Sequence, residues 1–146
     1  MNWNVRRTLI GAATALLATV AIAQAAGTPI AAAGSSAQLK FKLDEFKITP
    51  KSADTKAGSV QFKARNTGTI EHEMVVARTK RKPGDLPTSK TGDVKEGALN
   101  VIGEISELPS GEAATTKLQL KPGKYVMFCN VHGHYGLGMY GKLTVK

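Results

Sequence analysis

Apolar and polar residues alternate with a period of two along much of the chain after residue 38. In residues 39–43 and 60–64, every second residue is apolar and the residues between them are polar or charged. Because successive side chains of a strand point to opposite faces, this alternation predicts half-buried strands rather than helices. Shorter apolar runs predict five further strands: Met74–Ala77, Val101–Ile105, Leu118–Leu120, Tyr125–Phe128 and Leu143–Val145.

Turn signals rich in glycine and proline separate these runs, at 66–68, 82–84, 109–111 and 121–123. Seven or eight short strands joined in this way predict an all-β fold, an antiparallel Greek-key β-sandwich. The polar stretch 80–98 contains no strand pattern and is expected to form a long loop or a short helical turn.

The N-terminal residues have the composition of an export signal. Arg6 and Arg7 precede an apolar, alanine-rich run, 9–26, that closes on Ala23-Gln24-Ala25. We predict a signal peptide over residues 1–25 and export to the periplasm or another extracytoplasmic compartment. The run is just short of a membrane span, and without cleavage the protein would be membrane-associated. The arginine pair fits both a twin-arginine signal and an ordinary basic leader.

The rest of the chain is expected to form one domain. Residues 26–37 are small and polar, which predicts a flexible N-terminus of the mature chain. Residues 38–146 are enough for a single folded domain with one core. The whole chain has a net charge of +9. Without residues 1–25 the charge is +7, because Arg6 and Arg7 are removed, and this charge favours acidic proteins or anionic surfaces as partners. The cluster at 78–82 is expected to be a solvated loop edge or a docking patch.

Cys129 is the only cysteine in the sequence, so no internal disulfide can form. In an oxidising compartment a lone thiol needs protection, by burial or by a metal. The residues that follow it favour a metal, because a glycine-rich loop there carries His132, His134 and Met139. Two imidazoles, one thiolate and one weak methionine ligand form the set expected for copper electron transfer, whereas zinc has little use for methionine.

Two spacings compete within this loop. If His132 were the ligand, the matching methionine would fall at position 137, which is a leucine. If His134 is the ligand, the pattern Cys129-x4-His134-x4-Met139 is complete. His72 lies at a predicted turn-to-strand junction and is the only histidine outside the loop. We therefore predict one copper bound by His72, Cys129, His134 and Met139. Two alternatives remain open. Met139 could be a core residue that does not bind the metal, or a carboxylate could be one of the ligands.

From about residue 38 onward the chain resembles the cupredoxin family of small blue copper proteins, in its plastocyanin, azurin and auracyanin group. Their ligand loop commonly reads Cys-x-x-Pro-Gly-His, followed by Gly-Met-x-Gly-x-Leu-x-Val. The matching positions here are Cys129, Gly133, His134, Gly138, Met139, Gly141, Leu143 and Val145. Two residues depart from the pattern. His132 replaces the proline, and Glu73 stands where many members carry an asparagine that hydrogen-bonds to the cysteine loop.

The resemblance implies an exported type 1 copper protein that passes single electrons between redox partner proteins. For so basic a chain we expect partners with acidic docking surfaces, and we expect a monomer with no nucleic-acid partner and no small-molecule substrate. No enzyme is expected, because catalytic copper clusters need several more histidines than the three present. The alternative is a periplasmic protein for copper delivery or storage, although such proteins favour methionine-rich or Cys-x-x-Cys sites.

Overall fold

The computed structural model describes residues 36–146, which form two β-sheets packed into a sandwich. The predicted signal peptide and nearly all of the predicted flexible segment lie outside the described residues. Within residues 36–146, no helix has the length and apolar character needed to cross a membrane.

Nine strands and one short 3-10 helix make up this domain. The strands are β1 (Ala37–Asp44), β2 (Lys47–Thr49), β3 (Ser52–Thr55), β4 (Gly58–Asn66), β5 (His72–Arg78), β6 (Asn100–Leu108), β7 (Ala113–Leu120), β8 (Gly123–Phe128) and β9 (Tyr140–Val145); the 3-10 helix is Glu96–Ala98. The first sheet has the strand order β2-β1-β4-β7, and the second has the order β3-β9-β8-β5-β6.

The predicted all-β sandwich is confirmed, but the prediction of purely antiparallel sheets is wrong in detail. Strand β1 runs parallel to β4, and β3 runs parallel to β9. Alternation shows which face of a strand is buried and carries no information about the direction of its neighbour. The strands β2 and β3, which were not predicted, have only three and four residues and are too short to show a period.

The core lies between the sheets and is built from the alternating residues of each strand. Phe41 of β1 and Phe62 of β4 stack with ring centroids 6.0 Å apart, and both are almost fully buried. Burying a side chain of this size contributes roughly 1.5–3 kcal/mol. Cys129 and Met139 belong to the same buried cluster.

A second apolar cluster lies on the opposite face of the second sheet, under residues 79–99, which we call the long connection. Leu86 and Val94 of this connection pack against Val75 of β5 and Phe128 of β8. Both faces of β5 and β8 are therefore covered. Double coverage explains why their sequences are continuous apolar runs rather than alternating ones.

The strand pairings place three predicted ligands at one end of the second sheet. Val75 of β5 pairs with Phe128 of β8, and Phe128 pairs in turn with Tyr140 of β9. His72 is the first residue of β5, while Cys129 directly follows β8 and Met139 directly precedes β9. These three positions therefore lie side by side at the strand ends.

Candidate metal centre

The side chains of His72, Cys129 and His134 come together at this end of the sandwich. His72 Nδ1 lies 3.2 Å from His134 Nδ1, and His134 Nδ1 lies 3.4 Å from Cys129 Sγ. One donor atom from each of the three lies within 4.8 Å of the others. All three side chains are buried, with His134 the most exposed of them at 6%.

This cluster has the chemistry of a metal site. Two imidazole nitrogens and one sulfur lie close together, and the three side chains that carry them are buried. The other ring nitrogen, His72 Nε2, is buried as well and has no hydrogen-bond partner within residues 36–146. Nitrogen and thiolate donors in this number suit copper, and a metal ion between them would satisfy the facing lone pairs.

Burial also sets the protonation of the three donors in the metal-free protein. It lowers the pKa of His134, and it lowers the pKa of His72 together with the nearby imidazole of His134. Both rings are therefore biased toward the neutral form that binds metals. Burial raises the pKa of the Cys129 thiol to about 11, and this thiol loses its proton when it binds a metal.

Met139 is fully buried in the cluster that contains Cys129. Its carbonyl accepts a hydrogen bond from the Cys129 amide at 3.0 Å, and its own amide donates to the His134 carbonyl at 3.2 Å. The backbone thus ties Met139 to two of the clustered residues. Its role as a thioether ligand stays a prediction.

The loop from Cys129 to Met139, called the ligand loop below, is closed by its own backbone hydrogen bonds. The His134 amide donates to the Val131 carbonyl at 2.9 Å, and the Gly138 amide donates to the Tyr135 carbonyl at 2.9 Å. Gly138 has a φ of 98°, in the left-handed region that side-chain-bearing residues rarely adopt. Glycine at this position lets the chain turn back into β9 directly before Met139.

Glu73 connects His72 to the ligand loop in two ways. Its amide donates to Cys129 Sγ at 3.4 Å, and its carboxylate accepts a hydrogen bond from the Asn130 amide at 2.8 Å. Burial raises the pKa of this carboxyl to about 7. Glu73 therefore makes the cross-loop contact that the resemblance associates with asparagine. Its carboxylate points toward Asn130, and Glu71 is exposed.

A different carboxylate, Glu45 in the turn between β1 and β2, approaches His72. Its Oε1 lies 3.9 Å from His72 Nε2 and accepts hydrogen bonds from the Thr69 hydroxyl at 3.0 Å and the Ile70 amide at 3.2 Å. Hydrogen bonding, chiefly by the Thr69 amide, lowers the pKa of Glu45 to about 2. In the same turn, Phe46 packs edge-on against the His134 ring, with centroids 5.2 Å apart. The sequence did not predict that this turn contacts the two histidines, because the turn lies far along the chain from both of them.

His132 is turned away from the clustered donors. Its side chain is 76% exposed, and its Nδ1 lies 3.0 Å from Asp93 Oδ2. The other oxygen of Asp93 accepts a hydrogen bond from the Gly133 amide at 3.0 Å. This contact is the main reason why the pKa of Asp93 falls to about 2. Asp93 therefore holds the ligand loop at the position where the family pattern has a proline.

The long connection contacts the ligand loop at two further points. The Asn130 side chain accepts a hydrogen bond from the Val94 amide at 2.6 Å and donates to Glu96 at 2.8 Å. The Tyr135 hydroxyl donates to the Pro83 carbonyl at 2.7 Å. The polar composition of residues 80–98 predicted a long loop or a short helical turn, and the structure has a loop that ends in the 3-10 helix Glu96–Ala98. The composition did not indicate that this loop supports the ligand loop.

Comparison with known proteins identifies the class. Residues 28–146 match the family model described as copper binding proteins, plastocyanin/azurin family. The chain therefore belongs to this family, the cupredoxins, and the predicted family is confirmed. Members of the family are copper-binding electron carriers rather than typical enzymes. The predicted copper agrees with both the family and the cluster of His72, Cys129 and His134.

Solved structures show the same fold. The reduced auracyanin of the photosynthetic bacterium Roseiflexus castenholzii is 23% identical, with a TM-score of 0.61 over 77% of this chain and 99% of that one. An azurin (Az-iso2) of Methylomonas sp. strain J is 20% identical, with a TM-score of 0.60 over 77% and 99%. Rusticyanin of Thiobacillus ferrooxidans is 16% identical, with a TM-score of 0.53 over 77% and 79%. No curated protein sequence matches the chain.

Proposed function

We propose that this protein is an exported type 1 copper protein that passes single electrons between redox partners. The observation that carries the proposal is the buried cluster of His72, Cys129 and His134, in which one donor atom of each lies within 4.8 Å of the others. His72, Cys129 and His134 would hold the metal, and Met139 would add a weak thioether ligand. Copper bound there supplies a one-electron Cu(II)/Cu(I) couple.

The protein contributes rigidity to this function. The two histidines come from separate parts of the chain, and each is packed against the turn that contains Glu45 and Phe46. Asp93 and Glu73 hold the backbone of the ligand loop from two sides. Donors fixed in this way move little, and a small rearrangement of ligands favours fast electron transfer.

Partners are expected to approach at His134, the least buried of the three donors. Leu137, in the same loop, exposes 61% of its surface. An exposed apolar residue beside a ligand suits a transient protein contact. We propose redox partners with acidic docking surfaces, because the chain without residues 1–25 has 18 basic and 11 acidic residues and a net charge of +7.

The proposed export rests on the composition of residues 1–25 alone. We also propose that the protein has no enzymatic activity. The sequence has three histidines, two lie in the donor cluster, and His132 contacts Asp93 at the surface. A catalytic copper in addition to the electron-transfer copper would need histidine ligands that the chain does not contain.

The visible spectrum of the copper-loaded protein tests this proposal. We expect an intense thiolate-to-Cu(II) band that is absent in C129S, strongly altered in H134A and unchanged in the control H132A. A colourless loaded protein, or a band that depends on His132 and not on His134, would contradict the assignment.

Redox behaviour separates the electron carrier from the alternative, a copper-delivery or storage protein. A carrier should be reduced and reoxidised reversibly while retaining its copper in the presence of a modest chelator. A delivery protein should release copper to the same chelator. Rapid loss of copper from the wild-type protein would therefore favour delivery.

A further inference from the structure

The outward face of the first sheet is strongly basic. Strands β2, β1, β4 and β7 bury alternate side chains in the core, and the residues between them point outward. Six of these outward residues are basic and one, Asp44, is acidic. The six, which we call the basic face, are Lys40, Lys42, Lys47, Lys63, Arg65 and Lys117.

The strand register concentrates this charge at the centre of the face. Lys40 lies opposite Lys63, and Lys42 lies opposite Arg65, on the neighbouring parallel strands β1 and β4. Neighbouring strands are about 5 Å apart, and residues two apart along a strand are separated by about 7 Å. Like charges at facing positions repel and destabilise a sheet.

No carboxylate within residues 36–146 forms an ion pair with any residue of the basic face. The four central cations instead line an open groove of about 440 Å³, together with Phe41, Thr49 and Pro50. The fold therefore concentrates positive charge at one place and leaves it available to an anionic partner outside the domain.

The composition of the face favours lipid over protein as this partner. Protein interfaces use buried aromatic and aliphatic anchors and are depleted in lysine. Among residues 36–146, the large apolar side chains with high exposure are Ile70 and Leu137, and neither lies in the first sheet. A face with five lysines and no large exposed apolar side chain instead suits the negative potential of anionic lipids, which attracts each nearby cation.

We propose that the basic face binds an anionic lipid surface. The face lies along the side of the sandwich, whereas the ligand loop lies at the strand ends. Lipid binding would therefore leave His134 and Leu137 free for a redox partner. The inference goes beyond electron transfer and does not depend on bound copper, so the failure of one proposal does not affect the other.

Vesicle sedimentation with the full-length chain tests the inference. The probes are vesicles of phosphatidylcholine alone and vesicles of phosphatidylcholine mixed with phosphatidylglycerol. The test variant is K40Q/K42Q/K63Q. The matched control is K80Q/K82Q/K124Q, which loses the same charge from exposed lysines outside the first sheet. All proteins carry the same N-terminal residues, so differences between them report the substituted lysines.

We expect the wild-type chain to bind the phosphatidylglycerol vesicles more tightly, and added salt to weaken the binding. Removal of three central cations should weaken the affinity for these vesicles about 100-fold, since each cation contributes about a fivefold factor in affinity. The substitutions of the control variant should change the vesicle affinity by less than about fivefold. Circular dichroism spectra like that of the wild type show that the variants are folded.

Three results would overturn the inference. In the first, K40Q/K42Q/K63Q binds vesicles as well as the wild type does. In the second, the control loses as much binding as the test variant, which indicates an effect of net charge alone. In the third, the test variant loses binding to soluble polyglutamate but not to vesicles, which points to an acidic protein as the partner.

Discussion

At the residue scale, the chemistry of the centre depends on a few side chains whose type and spacing are visible in the sequence. The spacing of Cys129, His134 and Met139 predicted the ligand loop, and the number of histidines left His72 as the second imidazole. The structure brings His72, Cys129 and His134 together. Glu45 and Asp93 could not be predicted, because they reach the site through tertiary contacts that have no local pattern.

Glu73 provides a prediction at this scale. E73A removes the acceptor of the Asn130 amide and leaves that donor without its partner, which costs about 1–3 kcal/mol in the free energy of unfolding. E73Q retains an acceptor oxygen and should stay close to the wild type. Denaturant unfolding of the metal-free protein measures the difference, with E71Q as the exposed control. Equal stability of E73A and E73Q would show that the contact is unimportant.

At the element scale, sequence patterns predicted strands well where a strand is long and half-buried. The runs in β1 and β4 alternate because one face of each is buried. The short strands β2 and β3 escaped prediction, and so did the parallel pairing of β1 with β4. Pairing direction depends on how the connections cross between the sheets, which no local window of sequence contains.

The contact between the long connection and the ligand loop predicts a pH effect. The pKa of Asp93 is lowered from 3.8 to about 2, chiefly by the Gly133 amide. A lowered pKa in the folded state means stability that is complete above pH 3.8 and is lost as the pH falls toward 2. In D93N this part of the acid sensitivity should disappear.

Unfolding midpoints measured between neutral pH and pH 2 test this expectation. D54N, which changes an exposed aspartate in β3, is the control. If D93N and the wild type lose stability in parallel as the pH falls, the carboxylate of Asp93 does not support the ligand loop.

At the scale of the whole molecule, the sandwich separates three surfaces. The donor cluster lies at the strand ends, the basic face covers the first sheet, and the long connection covers part of the second sheet. The donor cluster and the basic face are each formed by residues far apart in sequence, whereas the long connection is one continuous segment. The alternation of lysine with apolar residues in β1 and β4 was visible in the sequence. The alignment of those lysines across neighbouring strands became apparent only with the strand register.

Metal binding should stabilise the whole domain, because the donors come from β5 and from the ligand loop between β8 and β9. At free copper of about a thousand times the dissociation constant, binding adds about 4 kcal/mol. This corresponds to a rise in Tm on the order of 15 °C for a domain of this size. Thermal unfolding with and without copper measures the rise, and C129S should lose most of it. A similar rise in C129S would place the metal elsewhere.

The central claim is that donors from separate parts of the chain bind one copper ion. Anomalous diffraction at the copper absorption edge, from crystals of the copper-loaded protein, tests it most directly. The account predicts a single strong peak bounded by His72 Nδ1, Cys129 Sγ and His134 Nδ1, with Met139 Sδ beside it. A peak at His132 and Asp93, or a sulfur of Cys129 that points away from the metal, would contradict it.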